Sequence, residues 1–189
     1  YTAVGVKVVE SVNEPEIEQG RPPDAAMITA LARQHISFAD QCAHAGLKPL
    51  MPAFQGDRVY TWFQPFVKTV IDLGRKDVLE GSYVNTHPRP SNNKPETAPP
   101  GFCVRSYELF DDTIKTFLGH SLPMYATEWG YEPGDDANHE LPKIDIELHT
   151  KYNVCLQKMD YRECLKVVFY WTFLPDWSNS GWWRGGVEK

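Results

Sequence analysis

Short apolar runs alternate along this chain with segments in which apolar residues recur at helical spacing. The runs are rich in β-branched residues and end at turn-forming segments, and they cover 4–12, 47–54, 81–86, 123–127 and 167–173. Helical spacing covers 24–45, 62–73, 107–118 and 146–158. The pattern predicts about five strands alternating with helices, which is typical of a parallel sheet with right-handed crossovers.

The predicted strands are apolar almost throughout, as expected when helices cover both faces of a sheet. Two α/β architectures satisfy this pattern: an open doubly wound sheet and a barrel. No GxGxxG segment and no P-loop follows any strand. That omission disfavours the nucleotide-binding form of the open sheet.

Polar and aromatic side chains gather where the predicted strands end. They are Asn13, Glu14, Gln55, Asp57, His87, Glu128, Trp129, Trp171 and Trp177. In a parallel barrel the carboxyl ends of the strands meet on one face, and active sites are built there. We therefore expect these residues to converge on a single site.

Glu14 and Glu128 suit glycoside hydrolysis. That reaction needs one acid to protonate the leaving oxygen and a second carboxylate that attacks the sugar or activates a water molecule. A barrel spends about 31 residues on each βα unit, so Glu14 and Glu128 fit strand ends three units apart, across the barrel mouth. Glu10 and Glu16 could compete for the acid role. We expect Glu10 to lie too deep in the strand and Glu16 to point to solvent.

The same residues carry a family resemblance that spans nearly the whole chain. Asn13-Glu14-Pro15 resembles the acid/base motif at the end of strand four in clan A (GH-A) glycoside hydrolases, and Thr127-Glu128-Trp129-Gly130 resembles the nucleophile motif of strand seven. Tyr170-Trp171 is similar to the strand-eight segment, and His87 matches a strand-six position that often carries His or Tyr. The resemblance implies a (β/α)8 barrel and a retaining glycosidase acting on a β-linked glycan or glycoside.

The resemblance also implies residue roles. Glu14 would be the general acid/base and Glu128 the nucleophile, with His87 holding or polarising Glu128. Asn13 would hydrogen-bond the sugar 2-hydroxyl. Three tryptophans would bind sugar. Trp171 would stack beneath the reacting ring, Trp129 would form a wall of its pocket, and Trp177 would stack on a more distant sugar. The family chemistry implies a carbohydrate substrate and no cofactor or metal.

The resemblance is limited to strands four to eight. Strands one to three, and the Arg that the strand-three region usually supplies, have no counterpart here. We interpret 1–189 as a single catalytic-type domain, a partial or shortened TIM-type barrel with about five parallel strands and flanking helices. Because such a barrel leaves two open strand edges, we expect a homo-oligomer or an N-terminal portion to complete it. A fragment, two joined copies and a naturally shortened relative remain alternatives.

Composition narrows the function classes. The net charge is −6, and no cluster of Lys and Arg could bind along a phosphate backbone. Both features disfavour a nucleic-acid-binding function. No run of 18 apolar residues predicts a membrane span. Aromatic residues reach 13%, which suits either core packing or stacking on sugar rings. The four cysteines lack metal-ligand spacing and are expected to be free buried thiols, with one disulfide possible in a secreted protein.

Two other function classes stay open at this stage. One is a carbohydrate-binding or structural protein derived from a glycosidase, which keeps the two glutamates but does not catalyse hydrolysis. The other is a different hydrolase that uses Asp57, His87 and a metal, although the ligand set is sparse. The chain opens at Tyr1 without an initiator Met or a signal peptide, as a mature, cleaved or partial chain would. The compartment is therefore not encoded directly, and the glycosidase resemblance slightly favours secretion.

Overall fold

The fold is described from a computed structural model of the chain. It describes residues 5–16, 22–88, 101, 105–129, 158, 160–170, 183–184 and 187–188. The predicted helix 146–158 lies outside these residues except for the helical Lys158, and so do the last three positions of the predicted strand 167–173.

The strands that carry the site are parallel, as predicted. β1 (Val8–Glu10) pairs with β2 (Lys48–Leu50), while β3 (Val84–Thr86) pairs with β4 (Met124–Trp129), and β4 with β5 (Leu165–Tyr170). Parallel bridges between Leu50 and Tyr83 and between Gln55 and His87 join β2 to β3. The spatial order therefore follows the chain from β1 to β5, and the carboxyl ends of all five strands lie on one side. A separate antiparallel ribbon pairs β6 (Trp183–Arg184) with β7 (Val187–Glu188).

Within the described residues, the α-helices between these strands are α1 (Ala25–His44), α2 (Gln64–Asp72), α3 (Lys76–Gly81) and α4 (Tyr107–Leu118). The Asp24 carboxylate caps α1 by accepting a 2.8 Å hydrogen bond from the backbone N–H of Met27. Gly119 ends α4 in the left-handed conformation, with φ at 84°. A π-helical segment, Val59–Phe63, leads directly into α2.

The observed elements differ from the predicted ones mainly at their ends. The first strand is confined to β1, although apolar residues extend from position 4 to 12. The predicted third strand begins three residues late because Gly81 is the last residue of α3, and the Ser82 hydroxyl donates to the Val78 carbonyl at 2.7 Å. A six-residue helix makes fewer than two turns, so its sequence shows no periodicity to predict it.

Aromatic side chains fill the layer between the sheet and the helices. Phe63 of the π-helical segment and Phe110 of α4 have ring centroids 4.8 Å apart, and Phe54 after β2 packs edge-on to Phe63 at 5.9 Å. All three are fully buried. This core fixes the segments that follow β2 and precede α4, and those segments border the carboxyl ends of the strands.

In the described part of the chain, no helix is both long and apolar enough to cross a membrane. Cys42 and Cys164 are buried free thiols, in agreement with the expectation for this cysteine pattern. Cys103 and Cys155 lie outside the described residues.

Candidate active site

The carboxyl ends of the first four strands bring together two glutamates and a histidine. His87 follows β3, is fully buried, and has its Nδ1 atom 2.7 Å from Glu14 Oε1 and 3.5 Å from Glu128 Oε2. Gln55, which follows β2, donates from its side-chain amide to Glu14 Oε1 at 3.2 Å. A carboxylate oxygen from each glutamate and a ring nitrogen of His87 all lie within 4.8 Å of one another. The arrangement is a buried acid–imidazole–acid cluster.

The backbone at Glu14 is unusual. Its φ is 40°, and no other non-glycine residue in the described part of the chain has a positive φ. Holding a side chain with a Cβ in this region costs about 1–3 kcal/mol, and such residues cluster at active sites. The strained backbone turns the Glu14 carboxylate toward His87, which makes Glu14 a candidate functional residue on backbone evidence alone.

A β-bulge in β4 aims Thr127 and Glu128 at the same cluster. Along the pairing with β5, Ala126 aligns with Val168 and Trp129 with Tyr170, so between these two pairs β4 contains one residue more than β5. In a regular strand, neighbouring side chains point to opposite faces. The extra residue re-aims one of them, and both Thr127 Oγ1 and Glu128 Oε2 therefore lie within 3.5 Å of a His87 ring nitrogen.

Behind His87 runs a chain of side-chain hydrogen bonds. His87 Nε2 lies 3.0 Å from Thr127 Oγ1, and the Thr127 hydroxyl donates to Asn85 Oδ1 at 2.7 Å. The Asn85 amide donates in turn to Glu10 Oε1 at 2.8 Å. These hydrogen bonds fix the Nε2 side of the imidazole, and the two glutamates contact its Nδ1 side.

Glu16 is buried, so the expectation that it points to solvent was wrong. Its Oε1 accepts a 2.8 Å hydrogen bond from the backbone N–H of Gln55, which draws the carboxylate in against the end of β2. Its other oxygen is buried without a hydrogen-bond partner. Burial raises the pKa of Glu16 to about 7, and the nearby Glu14 charge adds to the shift. Glu16 thus holds the same residue, Gln55, that donates to Glu14.

The other predicted site residues lie in different settings. Asn13 is exposed in the loop that follows β1. Trp129 is fully buried in the core, and its indole N–H has no hydrogen-bond partner. Trp171 and Trp177 lie outside the described residues. The structure therefore brings Glu14, His87 and Glu128 together, while the sugar-binding roles of the tryptophans and Asn13 stay predictions.

Sequence reasoning included Gln55 among the converging strand-end residues, but it missed two residues of the cluster as site members: Asn85 and Thr127. For Asn85 a signal exists, because an Asn two residues before His87 in an apolar strand shares its face. For Thr127 the signal is hidden by the bulge, since regular alternation with Glu128 would separate the two side chains.

The His87 nitrogen and the two carboxylates are close enough to hold a divalent cation. Two ligands of one tetrahedral zinc ion, each about 2.0–2.1 Å from the metal, lie about 3.3 Å apart. His87 Nδ1 and Glu14 Oε1 are 2.7 Å apart, which is the length of a charge-assisted hydrogen bond. The geometry is therefore that of a hydrogen-bonded acid–base pair.

Neither a scan against models of protein families nor a search of curated proteins found a match. Solved structures do match. A GH128 (subgroup II) endo-β-1,3-glucanase from Pseudomonas viridiflava aligns with 100% of this chain and 68% of its own, with a TM-score of 0.61 and 16% identity. The chain shares its fold with this glucanase.

A GH128 (subgroup I) endo-β-1,3-glucanase from Amycolatopsis mediterranei, solved with laminaritriose, gives a similar result. It aligns with 97% of this chain and 68% of its own chain, with a TM-score of 0.60 and 12% identity. At these identities the likeness is one of fold. It agrees with the α/β class predicted from the sequence, and each glucanase has additional chain beyond the matched part.

Proposed function

We propose that this chain is a retaining glycoside hydrolase that cleaves a β-linked glucan, with Glu14 as general acid/base and Glu128 as nucleophile. The observation that carries the proposal is the pair of carboxylate oxygens within 4.8 Å of each other, beside a buried imidazole. The fold shared with two endo-β-1,3-glucanases supports the substrate class and makes β-1,3-glucan the first substrate to test. A partial barrel is consistent with the coverage, because the chain matches 68% of each glucanase.

The spacing of the two carboxylates decides which stereochemistry the site favours. Retaining glycosidases hold their carboxyl groups about 5–5.5 Å apart, while inverting enzymes separate them by about 6.5–9.5 Å to admit a water molecule. The nearest carboxylate oxygens of Glu14 and Glu128 lie within 4.8 Å of each other, which is closer to the retaining separation than to the inverting one. The geometry therefore favours direct attack by one carboxylate.

The reaction would take two steps. Glu14 protonates the glycosidic oxygen as Glu128 attacks the anomeric carbon, so the bond to the leaving sugar breaks and a glycosyl ester forms on Glu128. Glu14, now ionised, then takes a proton from a water molecule that attacks the same carbon and frees Glu128. His87 contacts both carboxylates and holds them at this spacing.

Sugar binding would surround this centre. Exposed Asn13 adjoins Glu14 and would donate to the 2-hydroxyl, a contact that strengthens in the transition state. Trp171 and Trp177 would provide the floor and a more distant stacking surface, since aromatic rings match the apolar faces of sugars.

The test is hydrolysis of β-1,3-glucan by the purified chain, measured as new reducing ends. Glu14→Gln and Glu128→Gln should each lower kcat by at least about a hundredfold, because each removes a group that acts on the reacting bond. Glu80→Gln is the matched control, since Glu80 is a half-exposed helical residue paired with Lys76. A wild-type chain that binds the glucan without cleaving it would instead support a non-catalytic carbohydrate-binding protein.

A further inference from the structure

We infer that Glu10, Asn85 and Thr127 form a relay that keeps a proton on Nε2 of His87, so that the hydrogen bond between His87 and Glu14 must hold a second proton. The relay itself follows from hydrogen-bond directions. Its consequence for catalysis rests on the proposed function of Glu14 as the acid.

The first step is the orientation of the Asn85 amide. Its nitrogen faces Glu10 Oε1 at 2.8 Å and its oxygen faces the Thr127 hydroxyl. A carboxylate can only accept hydrogen bonds. Flipping the Asn85 amide would set its oxygen against the Glu10 oxygen, with two acceptors in contact, so the carboxylate fixes the amide.

The second step is the direction of the Thr127 hydroxyl. A hydroxyl has one proton to donate and can also accept. Thr127 donates to Asn85 Oδ1 at 2.7 Å, so toward His87 Nε2, at 3.0 Å, its oxygen can only accept. His87 must therefore carry a proton on Nε2.

The third step concerns the opposite ring nitrogen. A neutral imidazole with its proton on Nε2 has a bare Nδ1, which accepts but cannot donate. Nδ1 lies 2.7 Å from Glu14 Oε1, a contact that needs a proton between the two atoms. Either protonated Glu14 donates to a neutral His87 or ionised Glu14 accepts from an imidazolium, and in both forms the pair carries the same number of protons.

Acidic groups lie close to this pair, and the charge of Arg58 also reaches Glu16. Glu128 on β4 lies 3.5 Å from the same Nδ1 atom, and Glu10 and Glu16 flank Glu14 along the chain. Negative charge on Glu128 favours retention of the shared proton. The relay thus keeps the proposed acid loaded at the start of the reaction. Thr127 and Asn85 act through His87, so they are positioning residues.

The direct test is the protonation state of the His87 ring in wild-type chain, read from imidazole 15N resonances during a pH titration. A proton on Nε2 near neutral pH, in either the neutral or the doubly protonated ring, is the expected result. A neutral ring with its proton on Nδ1 would overturn the relay. This reading needs neither a variant nor glycosidase activity, so it stands apart from the proposed function.

Thr127→Val supplies the kinetic test, because it removes the hydroxyl while keeping the shape. The neutral ring should then move its proton to Nδ1 and donate to an ionised Glu14. The alkaline limb of kcat/KM should shift down by about one pH unit, with about a tenfold loss above it and little change in KM. Thr127→Ser should restore the profile.

Thr86→Val is the matched control, because it removes a buried hydroxyl from β3 that has no hydrogen-bond partner. Its 15N spectrum and pH profile should match the wild type. A Thr127→Val chain that folds and keeps both the Nε2 proton and the wild-type profile would contradict the relay.

Discussion

At the residue scale, two buried ionisable side chains should make opposite contributions to the pH dependence of stability. His35 lies among Phe38 and Phe66, and burial lowers its pKa to about 4. Burial raises the pKa of Glu16 to about 7. Between pH 4.5 and 6.5 their effects offset each other in the wild type, so each is best measured as a difference between variant and wild type.

His35→Leu should remove a loss of stability in acid. The unfolded chain binds a proton at His35 near pH 6.5, whereas the folded chain resists protonation until about pH 4. Stability is therefore full above pH 6.5 and falls as the pH drops toward 4, by about 3 kcal/mol in all. Urea unfolding should show that the unfolding free energy of the variant, relative to the wild type, is higher at pH 4.5 than at pH 7. Equal differences at both pH values would contradict a buried, neutral His35.

Glu16→Gln should act in the opposite sense. The folded chain holds the Glu16 proton up to about pH 7 and the unfolded chain releases it near 4.5. Stability is therefore highest below pH 4.5 and falls as the pH rises through 7, by about 3 kcal/mol. The unfolding free energy of the variant should gain on the wild type between pH 5 and pH 8. Exposed Glu80→Gln should show no such trend, and a flat difference for Glu16→Gln would show that its carboxylate is solvated.

The contrast between Glu14 and Glu16 shows what the sequence reveals at this scale. Glu14 ends an apolar run, so strand-end reasoning placed it beside His87 and Glu128. Glu16 follows a proline turn, where a carboxylate is usually solvated. Its burial depends on the backbone N–H of Gln55, a partner far along the chain that no local pattern identifies.

At the element scale, a close contact fixes the loop that follows β2. A Cβ atom on Gly56 would lie 2.5 Å from the Gly101 carbonyl oxygen and 2.5 Å from Ser106 Cβ. The segment before α4 therefore packs directly against the backbone beside Gln55. This contact supports the Gln55 amide that donates to Glu14.

Gly56→Ala should lower stability by about 1–3 kcal/mol, because the added methyl group overpacks a contact made partly by backbone. It should also lower activity, since Gln55 shifts with its neighbour. Gly81→Ala is the control: Gly81 lies in a helix with nothing within 4 Å of an added Cβ. Thermal unfolding of both variants decides the point, and a Gly56→Ala chain as stable as Gly81→Ala would show that the loop is loosely packed.

Parallel strands, long helices and the order of the elements could be predicted at this scale, because each depends on local periodicity. The bulge in β4 could not, since it arises from pairing with β5. It matters because it aims both Thr127 and Glu128 at His87. The sequence thus predicted which strand ends meet, but not how their side chains are directed.

At the scale of the whole molecule, the described sheet has two outer strands, β1 and β5, each paired on one side. Phe169 on β5 is 53% exposed, an unusual setting for an aromatic side chain in a strand. Unpaired strands and exposed apolar surface favour association. The expected homo-oligomer remains a prediction that rests on these edges.

Phe169→Ser should weaken that association by about tenfold or more, because burying a Phe side chain is worth about 1.5–3 kcal/mol. Tyr60→Ser is the control, as Tyr60 is 64% exposed and lies in the π-helical segment rather than in an edge strand. Sedimentation equilibrium at micromolar concentration should show the wild type as a dimer or larger. A stable 21.6 kDa monomer would refute the edge-pairing account.

The central claim is that Glu128 forms a covalent bond to the sugar while Glu14 supplies and removes the proton. The most direct measurement is mass spectrometry of the chain after incubation with a 2-deoxy-2-fluoro β-1,3-glucosyl donor, which slows release of the intermediate more than its formation. The account predicts one added glycosyl unit, mapped by peptide sequencing to Glu128 and absent from Glu128→Gln. Turnover with no adduct and first release of the α-anomer, or an adduct on another residue, would contradict it.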